Sequence, residues 1–324
     1  MGFFSRLKKE VWKVIRFFLI LAVLIGGTMI ALRVIKREKR PDHVRIFLDS
    51  DSANEIDDLF AISAVLTEPR MELIALSSAQ WHAHPDAPDS SVLASQKINS
   101  DLLRLFGRNF IPHPLGGNGP VSYWGDPNPV VSPAAMKIIS EAHKVKEGEK
   151  LIVVTIGGVT NLASAIIMDS TLTEKISWYA MGLWYDPAQG IWNKNEFNVR
   201  NDLDAMDYLL NLKGLEAHFM TATTSQVYRF SRQEIWDNMI NKGPEWDYLT
   251  DRWMQVCPED NERTMWDLAL IQAILYPDLV KTKEAITPPE NTRRRVTVYT
   301  WLDKERLKKE YFNSVKKYIK KHAD

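Results

Sequence analysis

The sequence predicts an α/β fold: a mostly parallel open sheet with helices on both faces, Rossmann-like, preceded by one N-terminal transmembrane helix. Three observations carry this expectation. From residue 44 onward, short apolar runs alternate with helix-length segments, the pattern of a parallel sheet covered on both sides. The 324 residues are 45% hydrophobic and 25% charged, a globular composition long enough for one large α/β domain. Residues 17–32 (FFLILAVLIGGTMIAL) form an uncharged stretch.

That stretch comes first along the chain. As a helix it spans about 24 Å, short of the roughly 30 Å of a hydrocarbon core. Val14, Ile15, Val34 and Ile35 extend it, with Arg16 and Arg33 snorkelling. No small-x-small cleavage site follows, and the basic flank Arg33, Lys36, Arg37, Lys39, Arg40 is unusual behind a signal peptide. The expectation is an uncleaved single-pass anchor in residues 1–40 and one catalytic domain in residues 41–324. Residues 1–40 hold ten Lys/Arg against two Glu; with 41 of each sign in all, residues 41–324 hold 31 against 39. A mildly acidic body argues against a nucleic-acid partner. The one cysteine, Cys257, excludes an intramolecular disulfide and a Cys-based zinc site.

Pro41-Asp42 marks a linker, and then the alternation begins. Strands are expected at 44–48, 72–78, 151–156, 176–181, 217–222 and 295–300. Helices are expected at 57–66, 91–106, 133–144, 160–168 and 202–212, then at 231–240, 246–256, 266–275 and 303–319, the last of them basic. A Gly/Pro-rich loop, HPLGGNGPVSYWGDPNP, separates the second and third helices.

Behind the first strand, IFLDSDSANEIDDLF crowds Asp49, Asp51, Glu55, Asp57 and Asp58 together. Acids are favoured in a first helical turn, and Asp57 and Asp58 fit that simple role. Four aspartates at the carboxyl end of a buried strand, where α/β folds bind ligands, point further. Several carboxylates without Cys or His suit a hard cation, Ca²⁺ better than Mg²⁺ because it accepts more oxygens in looser geometry. Asp49-Ser50-Asp51 also matches the Asp-x-Asp of haloacid dehalogenase-type phosphatases, but Ala53 stands where those carry Thr or Val.

Four segments in order carry a closer resemblance: DSDSANEIDDLFAI, VVTIGGVTNLASAI, NEFNVRNDLDA and TMWDLALIQAIL. Together they resemble the inosine–uridine preferring nucleoside hydrolase family, in a loop variant of the form D-x-D-x-x-N-E-I-D-D. The resemblance implies a nucleoside hydrolase-like fold and Ca²⁺-dependent cleavage of the N-glycosidic bond of ribonucleosides, giving ribose and free base. It implies that Asp51, Asp58, Asp267 and the carbonyl of Ile156 hold Ca²⁺, with Asp51 the general base toward a Ca²⁺-bound water. Asp57, Glu196, Asn198 and Asp267 would hold ribose hydroxyls, and Asp49 would orient the loop. Glu196 and Asn198, two apart, share a face if their backbone is extended. Members are commonly dimers or tetramers, so a homo-oligomer is expected.

Several positions depart from the family's pattern. Ser52-Ala53 replace its first-loop glycine. Trp81-His82 stand where many members have Gly-Asn, so His82 becomes a candidate sugar or base contact; Asn193 or Asn195 stands in for another Asn. Trp266 replaces the His that protonates the leaving base in base-unspecific members, and resembles the purine-specific branch. Stacking suits a flat purine, and Trp124 offers a second face. Glu55 has no role in this reading. A non-catalytic riboside-binding protein is the alternative that the altered loop raises. With the short N-terminus inside, the body is expected to be extracytoplasmic, where Ca²⁺ is abundant.

Overall fold

In the computed structural model, residues 39–122 and 126–322 are described, with positions 16 and 20 besides. The expected anchor and Trp124 lie outside these residues. Among the described residues no helix is long and apolar enough to cross a membrane.

Residues Pro41–Asp324 form one compact unit. Its strands are β1 (Val44–Ser50), β2 (Met71–Ser78), β3 (Leu151–Thr155), β4 (Ile176–Met181), β5 (Trp184–Asp186), β6 (Ile191–Asn193), β7 (Glu216–Met220), β8 (Arg229–Ser231), β9 (Glu262–Thr264), β10 (Val280–Ile286) and β11 (Arg295–Leu302). Seven of them build the main sheet in the order β10-β11-β7-β4-β3-β1-β2; β5–β6 and β8–β9 are separate two-stranded antiparallel sheets. Every neighbour in the main sheet is parallel except β10 with β11. The mostly parallel expectation holds, with an antiparallel strand at one edge.

Alternation along β1 explains why both faces are covered. Ile46 and Leu48 join one apolar cluster with the helices Asp57–Thr67, Trp266–Leu275 and Lys304–His322. Phe47 joins the other, with Pro133–Ala142, Thr160–Met168 and Leu203–Asn211. Burial on both faces is why these strands read as continuous apolar runs.

The order also fixes where a ligand belongs. From β1 the chain goes to β2 on one side, and β3 lies on the other, so the winding reverses between β1 and β3. A crevice opens at the carboxyl ends of two strands that diverge in this way. Asp51 leaves β1 there, and Ile156-Gly157 leaves β3.

Candidate active site

A cleft of about 260 Å³ opens at that crevice. Asp51, Asp57, Asp58, Ile156, Glu196, Asn198, Trp266 and Asp267, the sequence candidates, all line it; Asn54, Glu55, Trp184, Asn195 and Arg200 join them.

The acids are buried rather than solvated. Asp49, Asp51, Asp57, Asp58 and Asp267 expose between 0 and 4% of their surface, which excludes the role of solvated first-turn acids. Burial raises the carboxyl of Asp49 to about 6, against hydrogen bonds from Ser77 and Asn161 that lower it. Burial, then the neighbouring Glu55 charge, raises Asp57 to about 7. Asp51, Asp58 and Asp267 are pushed well up by burial first and by mutual repulsion second.

Each acid has a distinct setting. Asp49 is tied into the fold: Ser77 Oγ donates to it at 2.5 Å and Asn161 Nδ2 at 3.0 Å. Asn161 also donates to the carbonyl of Ser78 and accepts from the N–H of Gly117, so one amide ties β1, β2 and the Gly-rich loop. Asp58 accepts from Ser50 Oγ at 2.6 Å. Asp57 accepts from the backbone N–H of Asp267 at 3.2 Å. Carboxylate oxygens of Asp57, Asp58 and Asp267 lie within 4.8 Å of one another. The sequence assigned Asp57 to the sugar; here it sits in the tight acidic group, while Asp51 stands beside it against Gly157. A Cβ on Gly157 would lie 2.7 Å from Asp51 Oδ1, so only glycine lets β3's end approach so closely. Asp51 Oδ2 is buried and has no hydrogen-bond partner.

A buried, unpartnered carboxylate oxygen beside three more buried carboxylates needs positive charge or protons. The lining offers oxygen donors and no Cys or His, which fits a hard cation such as Ca²⁺. The carbonyl of Ile156 faces this region and accepts from Asn198 Nδ2 at 3.1 Å, which leaves its second lone pair.

The opposite wall comes from the NEFNVRNDLDA segment, and here the extended-backbone argument fails. Glu196 is the N-cap of the short helix Phe197–Asn201, accepting from the Val199 N–H, and Asn198 lies inside that helix. A helical turn, not a strand, brings the two side chains to the cleft. Asn198 donates to the carbonyls of both Ile156 and Met181, bridging the ends of β3 and β4. Burial raises the Glu196 carboxyl, while the N–H groups of Val199, Asn198, Leu183 and Phe197 hold it down. Leu183 is fully buried with φ 64°, a left-handed conformation that costs a branched residue roughly 1–2 kcal/mol. Strain of this kind marks functional sites, and nothing in the sequence signalled it.

Trp266 and Trp184 meet edge to face at 6.4 Å and 79°, forming an aromatic wall. His82 is a correction: it does not line the cleft. Trp81 is buried with its indole N–H on the Ser91 carbonyl, and Gln80 Oε1 holds the His82 N–H, which turns this segment toward the helix Ser91–Leu105. Of the two asparagines, Asn195 reaches the cleft and accepts from Arg200 Nη1 at 2.9 Å.

The unusual first loop also resolves. The only left-handed non-glycine residues among those described are Leu183 and Asn241, so the Ser52-Ala53 turn needs no glycine. Ser52 is buried, donating to Asn99 Oδ1 at 2.7 Å and the Ser95 carbonyl at 3.1 Å. Glu55 gains a role: it pairs with Arg263 Nη2 at 2.5 Å, latching the first loop to β9.

The comparisons agree with this geometry. The model of a family described as inosine-uridine preferring nucleoside hydrolase matches residues 46–315. Among solved structures, an inosine-guanosine nucleoside hydrolase (IG-NH) is 18% identical with a TM-score of 0.67, covering 85% of this chain and 99% of its own. A purine-preferring ribonucleoside hydrolase from Gardnerella vaginalis is 20% identical, with a TM-score of 0.63 and coverage of 86% and 99%. An inosine-uridine preferring nucleoside hydrolase from Bacillus anthracis is 18% identical, with a TM-score of 0.60 and the same coverage. No match is found among curated proteins.

Proposed function

Because the chain belongs to the inosine-uridine preferring nucleoside hydrolase family, hydrolases acting on N-glycosyl compounds, we propose that it is a Ca²⁺-dependent ribonucleoside hydrolase with a leaning toward purines. One observation carries this reading: the buried, unpartnered Oδ2 of Asp51 beside Asp57, Asp58 and Asp267 at the topological switch point.

Asp51, Asp57, Asp58, Asp267 and the Ile156 carbonyl are the groups that would hold the ion. When bound, Ca²⁺ offsets the crowded negative charge and makes a water more acidic. Asp51 is the proton acceptor for the attacking water, because it lines the cleft and its buried Oδ2 has no hydrogen-bond partner within the protein. Glu196 and Asn198 orient the ribose from the opposite wall. Cleavage develops positive charge on the sugar, and carboxylates on both sides of it favour that charge. The Trp184–Trp266 wall suits the face of a flat base. Among the described residues no His lines the cleft, so departure of the base relies on stacking and solvent rather than an imidazole acid.

The test is direct. Incubate the protein with inosine, uridine and a generic phosphate ester, with Ca²⁺ or with EDTA, as wild type and as Asp51→Ala. Ribose release from inosine that EDTA and the substitution both abolish supports the reading. Riboside binding without release, or phosphate release, refutes it. We further propose that the body lies outside the cell, which a reporter fused at the C-terminus tests.

A further inference from the structure

The helix Lys304–His322 holds eight Lys/Arg against two Glu, a net of +6 within residues 41–324, whose total is −8. Its inner stripe, Leu307, Tyr311, Phe312, Val315 and Tyr318, is buried, so the charge faces outward. Lys308 is matched by Glu234 and Arg306 by Asp303. Lys316, Lys317, Lys320 and Lys321, on the last turns, are exposed, and none makes an ion pair among the described residues.

Those last turns lie over the end of the sheet where β1 and β2 begin. Tyr318 packs on Phe106 at 5.6 Å. Lys317 and Lys321 share a cleft of about 590 Å³ with His43, Arg108 and Phe110, and with Glu68, Glu72 and Glu310, of which Glu68 is paired with Arg70 and Glu72 with Arg45. Phe110 is 74% exposed, the most exposed large apolar side chain among the described residues. His43 precedes β1, so the chain enters the body at this same end. Upstream in sequence come Arg33, Lys36, Arg37, Lys39 and Arg40, and then the uncharged residues 17–32.

We infer that this end of the body is a docking surface for a bilayer carrying anionic headgroups. The lysines and Arg108 meet the phosphates, and Phe110 enters the boundary between headgroups and acyl chains. Exposed lysines beside an exposed aromatic match that layered chemistry, with charge above and hydrocarbon beneath. A nucleic-acid duplex matches the charge, but its bases are already stacked on one another and offer no face to an isolated phenylalanine. The choice of lipid rests also on the reading of residues 17–32 as an anchor. The catalytic cleft opens at the opposite ends of the strands, so docking here leaves its mouth free.

Residues 41–324 alone test docking apart from anchoring. They form one compact unit and contain the whole family match, so they stand as a complete fold. Sedimentation with phosphatidylcholine vesicles, with and without 30% phosphatidylglycerol, is compared for wild type, K316E/K317E/K320E/K321E and Phe110→Ser at 0.1 M and 0.5 M NaCl. Each basic residue near an anionic surface contributes about fivefold to partitioning. Wild type should bind only the anionic vesicles and only at low salt. The quadruple variant should bind at least about a hundredfold more weakly, and Phe110→Ser severalfold. Circular dichroism confirms that the variants are folded. Absence of wild-type binding at 0.1 M NaCl, equal partitioning of wild type and quadruple variant, or tighter binding to duplex DNA than to vesicles would overturn the inference.

Discussion

Gly157→Ala tests whether Asp51 is placed by the close approach of the β3 end. Gly157 is not among the left-handed glycines, so alanine is conformationally acceptable and its cost is steric. The added Cβ would lie 2.7 Å from Asp51 Oδ1 and 2.9 Å from its Cβ and Cγ; regaining an ordinary contact of 3.4 Å takes a shift of about 0.7 Å, the difference between 3.4 and 2.7. The Cβ is fixed to the backbone, so Asp51 must yield. Overpacking of this size costs about 1–3 kcal/mol of stability. A misplacement of about 1 Å at a reacting group costs on the order of 100-fold in rate, so a loss of tens-fold to about 100-fold in kcat/KM is expected. The assay pairs inosine hydrolysis at saturating Ca²⁺ with thermal melts. Gly148→Ala is the control: its φ is +81° and nothing lies within 4 Å of the added atom. It should lose roughly 1 kcal/mol of stability and no activity. A Gly157→Ala enzyme that keeps kcat/KM within about threefold of wild type would refute the argument.

Three further outcomes are expected. The buried acids have folded-state pKa values above their unfolded ones, Asp57 at about 7, so the cation-free fold is steadiest below about pH 4 for these groups and loses stability as pH rises toward 7. Ca²⁺ should restore it and release protons on binding, with affinity increasing through pH 7; calorimetry at pH 6.5 in buffers of different ionisation heats checks this, and binding without proton release contradicts it. Arg263→Ala removes the latch on Glu55 and a charge that lowers Asp57. Because both partners are partly exposed, the stability loss should stay near 1 kcal/mol or less, while Ca²⁺ affinity falls severalfold; Arg229→Ala, in the same two-stranded sheet but paired with Glu262 rather than with the first loop, should leave affinity unchanged. Trp266→Ala should raise KM for inosine about tenfold, ~1.4 kcal/mol, with a smaller effect on uridine; equal effects on both would remove the case for purine stacking.

The main sheet was legible because its strands are buried on both faces, so apolar runs such as LIVVT stand out from the helices between them. The edge strand β10 escaped notice because its middle, Lys281 to Glu284, faces solvent. The two small sheets β5–β6 and β8–β9 have three-residue strands, too short for any period to show. In the site, carboxylates were readable because their type and crowding have few structural explanations. Partners were not. Ser52 on Asn99, Glu55 on Arg263 and the left-handed Leu183 under Glu196 depend on contacts between distant segments, which no local pattern encodes. His82 misled for the same reason, since alignment of a motif says nothing about the way a loop turns.

The tie between Asp57 and the Asp267 N–H joins residues 210 apart, and the Glu55–Arg263 latch joins residues 208 apart. During synthesis at about 5–20 residues per second, this separation amounts to on the order of 10–40 s. Through that interval Asp51, Asp57 and Asp58 are hydrated and mutually repelling, with no opposite wall to confine them. The acidic centre is therefore a product of the finished chain. A fragment ending before Asp267 lacks it however well its first strands pair, and a cation enters this fold only after the ribosome has released nearly all of it.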